Sequence, residues 1–156
     1  MTGTGRLFAA ALLLAAWLGA ALLTIAVVTP AAFAVLPSRA MAGSLVGGVL
    51  PAVLVMGLVL GGTVGLLVGI RGPAAGATAT ALLAAAACAL TQFGINQRIA
   101  RLRVDIGVPI DRLSPDDPRR VAFGLLHGYS VAGLGVAMLA AGLALVFVLY
   151  ALRSRS

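Results

Sequence analysis

The chain has 156 residues, 62% of them hydrophobic and only 10% charged, against about a quarter charged in a soluble domain. Its formal charge of +7 comes from arginines and aspartates alone, and the arginines sit at the ends of apolar runs, where they anchor helices. That balance excludes a soluble globular domain and a nucleic-acid-binding module; it predicts an all-α polytopic membrane protein, a four-transmembrane-helix bundle in a single domain.

The first predicted span is Leu7–Val28, LFAAALLLAAWLGAALLTIAVV, about 33 Å long at 1.5 Å per residue, which matches the hydrocarbon thickness. A secretory signal competes, because Arg6 precedes the run and Ala32-Phe33-Ala34 resembles a cleavage site. The run exceeds the roughly 7–15 apolar residues of such a signal, so a span is preferred. Thr29-Pro30 is expected to close or kink the helix. Trp17 lies mid-span rather than in an interfacial belt, so packing is its expected job.

A short segment through Arg39 leads to the second span, about Ser44–Ile70, with Pro51 inside it. The carbonyl that Pro51 frees can be satisfied by neighbouring helices. Arg71-Gly72-Pro73 reads as a tight turn, which makes spans two and three an antiparallel hairpin. Gly57, Gly61, Gly65 and Gly69 recur every fourth residue in span two, and Ala77, Ala81, Ala85 and Ala89 do so in span three. Such ridges let backbones approach closely where lipid offers no hydrophobic drive for association. The expected packing is glycine groove on alanine ridge. A homodimer through the glycine face uses the same chemistry, but the short turn favours the intramolecular pairing.

The third span, about Ala74–Ile95, is expected to continue as a polar helix through Asn96-Gln97-Arg98 towards Arg103. A hydrophilic loop, 98–118, holds all the aspartates. In it Ser114-Pro115-Asp116-Asp117 reads as a helix start: N-cap hydroxyl, proline at N1, acids at the positive end of the dipole. The fourth span is Phe123–Leu152. Four spans put both termini on one side. The arginine count favours a cytoplasmic location for the first and third loops, whereas Arg6 ahead of the first helix favours the opposite orientation.

Helical spacing places His127, the only histidine, on one face with Ser130 and Leu134, and with Phe123 and Arg120 a turn or two before it. Cys88, Gln92, Asn96 and Arg103 share a face of the third helix. The alternation of spans then gathers Thr24, Thr29, Arg39, Ser44, Asn96 and His127 at one membrane surface. The expected result is a polar vestibule whose candidate ligand-binding residues are His127, Ser130, Asn96, Gln92 and Arg39. A plain interhelical hydrogen-bond set is the competing reading, worth about 0.6–2 kcal/mol per bond. Arg39, Arg98 and Arg101 also suit headgroup anchoring.

No carboxylate lies within a span, one histidine and one cysteine cannot close a tetrahedral zinc site, and no nucleophile–base pair is visible. Neither an enzyme nor a cofactor is expected.

WLGAALLTIAVVTPAAFAVLPSRAMAG resembles the opening of the domain of unknown function 4149 family, also described as transmembrane-protein-205-like, in Trp17, Gly19, Pro30, Phe33 and Arg39. Phe123, Leu126-His127-Gly128 and Ser130-Val131 resemble that family's F-x-x-L-H-G-x-S-V stretch before the last span, and Asn96 with its following arginines resembles the polar exit from the third helix. Where similar members carry an Asn about one turn beyond the Ser, this chain has Gly133-Leu134-Gly135. The resemblance implies a four-helix integral membrane protein and transfers no reaction.

The expected function is binding or passing a small solute or metal ion through the vestibule. The alternative is an accessory subunit docked on a membrane partner through the glycine-rich second helix. A third reading, an electrostatic hold on anionic headgroups by the 98–120 region, is weak because its six arginines face four aspartates. The expected partner is the lipid bilayer of a plasma or inner membrane, with a homo-oligomer or a second membrane protein as further readings.

Overall fold

The computed structural model describes residues 3–69 and 74–154. Four long apolar helices fill it: α1 (Gly3–Val35), α2 (Arg39–Val68), α3 (Ala75–Ile106) and α4 (Pro118–Arg153). Each packs on its sequence neighbour and α1 closes on α4, so the helices stand in cyclic order around a square bundle. Among the described residues there is no strand.

Side chains are arranged as lipid demands. The buried positions are mostly alanine and glycine, among them Ala10, Ala77, Ala81, Ala137 and Ala144, whereas Leu66, Leu90, Leu139 and Tyr150 point outward and stay exposed. A soluble core would sort these the other way. The chain is therefore a multi-pass membrane protein, a four-helix bundle with small residues turned inward and large apolar ones turned to the bilayer.

The centre of the bundle is built on Trp17. Its indole N–H donates to the Val53 carbonyl of α2 at 2.8 Å. Helical side chains lean towards the preceding turn, so the missing side chain of Gly57 uncovers the carbonyl one turn earlier. A Cβ at Gly57 would lie 2.7 Å from the indole and 2.6 Å from the Cys88 sulfur. One turn on, a Cβ at Gly61 would come within 2.8 Å of the Ala81 carbonyl and 3.1 Å of the Ala85 methyl; at Gly65 it would meet Leu82. Gly57, Gly61 and Gly65 thus lie buried against α3, with Ala77, Ala81 and Ala85 buried opposite.

Gly69 departs from that stripe. It lies one residue past the helix, at φ +80° and ψ 160°, a conformation all but restricted to glycine, and nothing stands within 4 Å of where a Cβ would be. Its carbonyl accepts from the Thr78 hydroxyl at 2.5 Å, which ties the end of α2 to the start of α3. The turn expected at Arg71-Gly72-Pro73 lies outside the described residues.

Three boundaries also differ from expectation. Pro30 does not close the first helix. Thr24–Val28 forms a wide π-type turn, and the helix resumes through Pro30 to Val35. Widening the turn ahead of the proline accommodates the ring and its missing N–H. The Thr29 hydroxyl bonds the Thr24 carbonyl at 2.9 Å across it.

The fourth helix starts at Asp117-Pro118, not Ser114-Pro115. The Asp117 carboxylate caps the Arg119 N–H at 2.8 Å. Had Ser114 been the cap, Pro118 would sit in the fourth helical position with its ring against the Ser114 carbonyl. Proline also holds the preceding Asp117 extended, at ψ 124°.

Finally, the polar extension of the third helix forms as expected towards Arg103 and runs on to Ile106, so residues 98–106 of the expected loop are helical. α3 ends only where Gly107 takes φ +67°, so the loop shortens to 107–117, with a single 3₁₀ turn at Ile110–Arg112.

Candidate functional site

At the end of the bundle away from the termini, the four helices separate into two pairs. The last turns of α1 stay on α2 and the polar extension of α3 stays on α4, but that extension hardly meets the start of α2. Between the pairs lies an open cleft of about 870 Å³.

Helix rise sets its depth. From Arg39 to Pro51 on α2, from Arg103 to Gln92 on α3 and from Arg120 to Ser130 on α4, the lining descends about 15–18 Å in each case. Arginines therefore mark the mouth, and Gln92, Ser130 and Pro51 the floor.

All five predicted ligand-binding residues line this cleft, but they are not one cluster. Ser130 is buried, and its hydroxyl donates to Asn96 Oδ1 at 2.8 Å; the Asn96 amide donates in turn to Gln92 Oε1 at 3.2 Å. The α3 half of this relay sits on a second π-type turn, Leu90–Asn96. Beside the relay α4 comes close: a Cβ at Gly133 would collide with the Thr91 hydroxyl. The position one turn past Ser130 consequently has no room for an amide side chain while Thr91 stays where it is.

His127 stands outside the relay. It stacks on Phe123 with ring centroids 6.2 Å apart and planes 4° from parallel. Arg39 is on the opposite wall, exposed at the first turn of α2.

The structure adds a residue that was not among the predicted site residues. Arg103 points into the cleft, because side chains on α3 lean towards its N-terminus and hence into the bundle. Its guanidinium lies 5.2 Å from the Phe123 ring centroid, a cation–π distance. Its Nη1 is 3.3 Å from where a Cβ on Gly47 would be, and its Nη2 3.9 Å from the same point on Gly43. Arg103, Phe123 and His127 thus form one continuous layer reaching from α4 towards α2. The signal was present in the spacing, since Arg103 is seven residues beyond Asn96 and Phe123 four before His127; what was missing was the glycine pair opposite.

The 107–117 loop borders the mouth through Val108–Asp111. It is pinned by Arg120, which donates to the Leu113 carbonyl at 2.8 Å. Arg119 pairs with Asp117 at 2.8 Å. Hydrogen bonds from the Arg119 side chain, then from its backbone N–H, hold the Asp117 carboxyl below the ordinary carboxylate range.

The family described as a domain of unknown function (DUF4149) matches residues 12–107, which run from the first helix through Trp17, Arg39, Gln92 and Asn96 to the end of α3. The chain belongs to this family. His127 and Ser130, carried by α4, lie beyond the matched residues of the DUF4149 region. Neither a curated protein nor a solved structure matches the chain.

Proposed function

We propose that this DUF4149 protein binds, or passes, a small solute in the cleft at one face of the membrane. One observation carries the proposal: polar residues from three helices, Arg39, Gln92, Asn96, His127 and Ser130, open into a single cavity of about 870 Å³. That volume falls in the range of about 300–1,000 Å³ usual for small-molecule sites. A metal cation suits the lining less well than a neutral or anionic solute, because Arg39, Arg103 and Arg120 face one carboxylate, Asp111. Docking through the glycine face of α2 draws no support, since Gly57, Gly61 and Gly65 are spent inside the bundle against Trp17, Ala81, Ala85 and Leu82.

Cysteine accessibility tests the proposal. Native Cys88 is fully buried, so the wild-type chain should resist a membrane-impermeant maleimide. In a Cys88→Ala background, Asn96→Cys and His127→Cys should both label, and from the same side of sealed vesicles. Labelling from opposite sides, or of neither, would remove the cleft as a solute site.

A further inference from the structure

We infer that the cleft selects an organic anion: a carboxylate or phosphate group held by Arg103, carried on an apolar body that lies against the cleft walls. The inference rests on the cleft being the solute site proposed above.

Arg103 is the charged group that the backbone directs inward. Arg39 and Arg120 line the same cleft, but Arg39 stands exposed at the first turn of α2 and the Arg120 guanidinium is taken up by the Leu113 carbonyl, whereas Arg103, near the end of α3, leans back over Phe123 towards α2. Its guanidinium is also held in place. Phe123 lies under it at 5.2 Å, and Gly43 and Gly47 leave the α2 wall bare where it arrives. Any side chain at Gly47 would press on Nη1.

Although positioned in this way, the Arg103 guanidinium makes no hydrogen bond or ion pair with any described residue; it is the backbone carbonyl of Arg103 that is engaged, by the Gly107 N–H. Asp111 lines the same cleft and forms no ion pair with it. A guanidinium presents five donors in a planar fork that fits two oxygens of a carboxylate or phosphate, and here the fork lies against Phe123 with no acceptor from the described residues.

Volume and lining define the remainder of the ligand. A bare inorganic anion fills only a small part of about 870 Å³ and leaves Phe33, Val46, Leu50 and Ile99 without a partner. An apolar body several carbons long uses those walls. The Ser130–Asn96–Gln92 relay below can meet a polar atom at the far end of the molecule.

The test uses the full chain in phosphatidylcholine nanodiscs, with octanoate as the probe and inorganic phosphate and 1-octanol as partial probes. Octanoate should bind one to one by calorimetry, with inorganic phosphate and 1-octanol each at least about tenfold weaker. Arg103→Gln should weaken octanoate by about tenfold or more. Gly47→Leu, on another helix, should weaken it too by displacing the guanidinium without removing its charge. Arg98→Gln removes the same charge from the same helix, five residues before Arg103 and off the cleft, and should leave binding unchanged.

Replacing part of the phosphatidylcholine by phosphatidylglycerol identifies the source of the anion. Unchanged octanoate binding indicates a soluble ligand. Displacement by one retained phosphatidylglycerol, absent in Arg103→Gln, indicates a lipid headgroup. Either supports the shared chemistry.

Equal losses in Arg98→Gln and Arg103→Gln would overturn the inference, as would no octanoate binding, or binding of either partial probe as tight as octanoate. Should octanoate fail while cysteines at 96 and 127 still label from one side, the anion assignment falls and the solute cleft stands. Should the cysteines fail as well, both fall.

Discussion

The two ends of this bundle use the same four helices and differ in what separates them. In the closed half, a small residue stands wherever two backbones meet: Gly57 under Trp17 and Cys88, Gly61 on Ala81 and Ala85. In the parted half, two of the four helices carry a π-type turn, at Thr24–Val28 and Leu90–Asn96, and α2 carries Pro51. These features redirect the helix ends and leave polar groups facing a gap rather than a neighbour. In a bilayer, close packing needs absent side chains, whereas a solute cleft needs irregular backbone with something polar to line it.

The largest effect expected from breaking this contrast is in the closed half. Gly57→Leu adds four carbons where the first already meets the Cys88 sulfur at 2.6 Å and the indole at 2.7 Å. Neither neighbour is the flexible end of a long side chain, so the helices must part. The expected cost is about 3 kcal/mol or more, read as loss of monodisperse protein or a large fall in the midpoint of a denaturing-detergent titration. A midpoint close to wild type would mean that the Trp17 layer is not what closes the bundle.

In the parted half the same kind of change should cost less. Ser130→Ala removes the hydroxyl that donates to Asn96 at 2.8 Å and leaves the amide facing an open cleft that admits water. About 1 kcal/mol is expected, within the range for interhelical hydrogen bonds in membranes. A loss as large as that of Gly57→Leu would make the relay a structural clamp rather than a lining of the cleft.

The fold was largely legible in the sequence because its signals are one-dimensional. Apolar run length gives the spans, fourfold spacing of Gly57, Gly61 and Gly65 gives the contact face, and alternation of direction gathers Asn96, His127 and Arg39 at one end. Gly69 continued the spacing yet fell outside the helix, since a repeat does not show where hydrogen bonding stops. The start of α4 was misplaced because Ser114-Pro115 and Asp117-Pro118 offer the same cap chemistry, and only the ring of Pro118 decides between them. Within the cleft, the polar residues were visible as residue types, but whether they touch depends on the π-type turns, which have no such simple spacing. Arg103 was placed on the same face as Gln92 and Asn96 but not among the predicted site residues, for a related reason: its position against Gly43 and Gly47 is a relation between helices, and a run of arginines after a span usually marks a headgroup anchor.

The smallest predicted effect concerns how the mouth of the cleft is held. Asp117 caps α4 while accepting from the Arg119 side chain and backbone, and these bonds hold its carboxyl below the ordinary value of about 3.9. A carboxyl whose folded value is lowered contributes stability that is complete above its unfolded value and is lost as pH falls through the folded one. The first turn of α4 should therefore keep its amide-exchange protection unchanged from pH 8 to 5 and lose it only below about pH 4. The amide to follow is Val121, whose N–H bonds the Asp117 carbonyl at 3.1 Å. The ion pair is exposed and screened by salt, so raised ionic strength should shift this edge only slightly, the cap to the backbone remaining. Protection lost already between pH 8 and 6 would assign the edge to another group. Because the loop at the mouth depends on this cap and on the Arg120–Leu113 bond, whereas the Trp17 layer contains no acid, acid should loosen the parted end while the closed end keeps its packing.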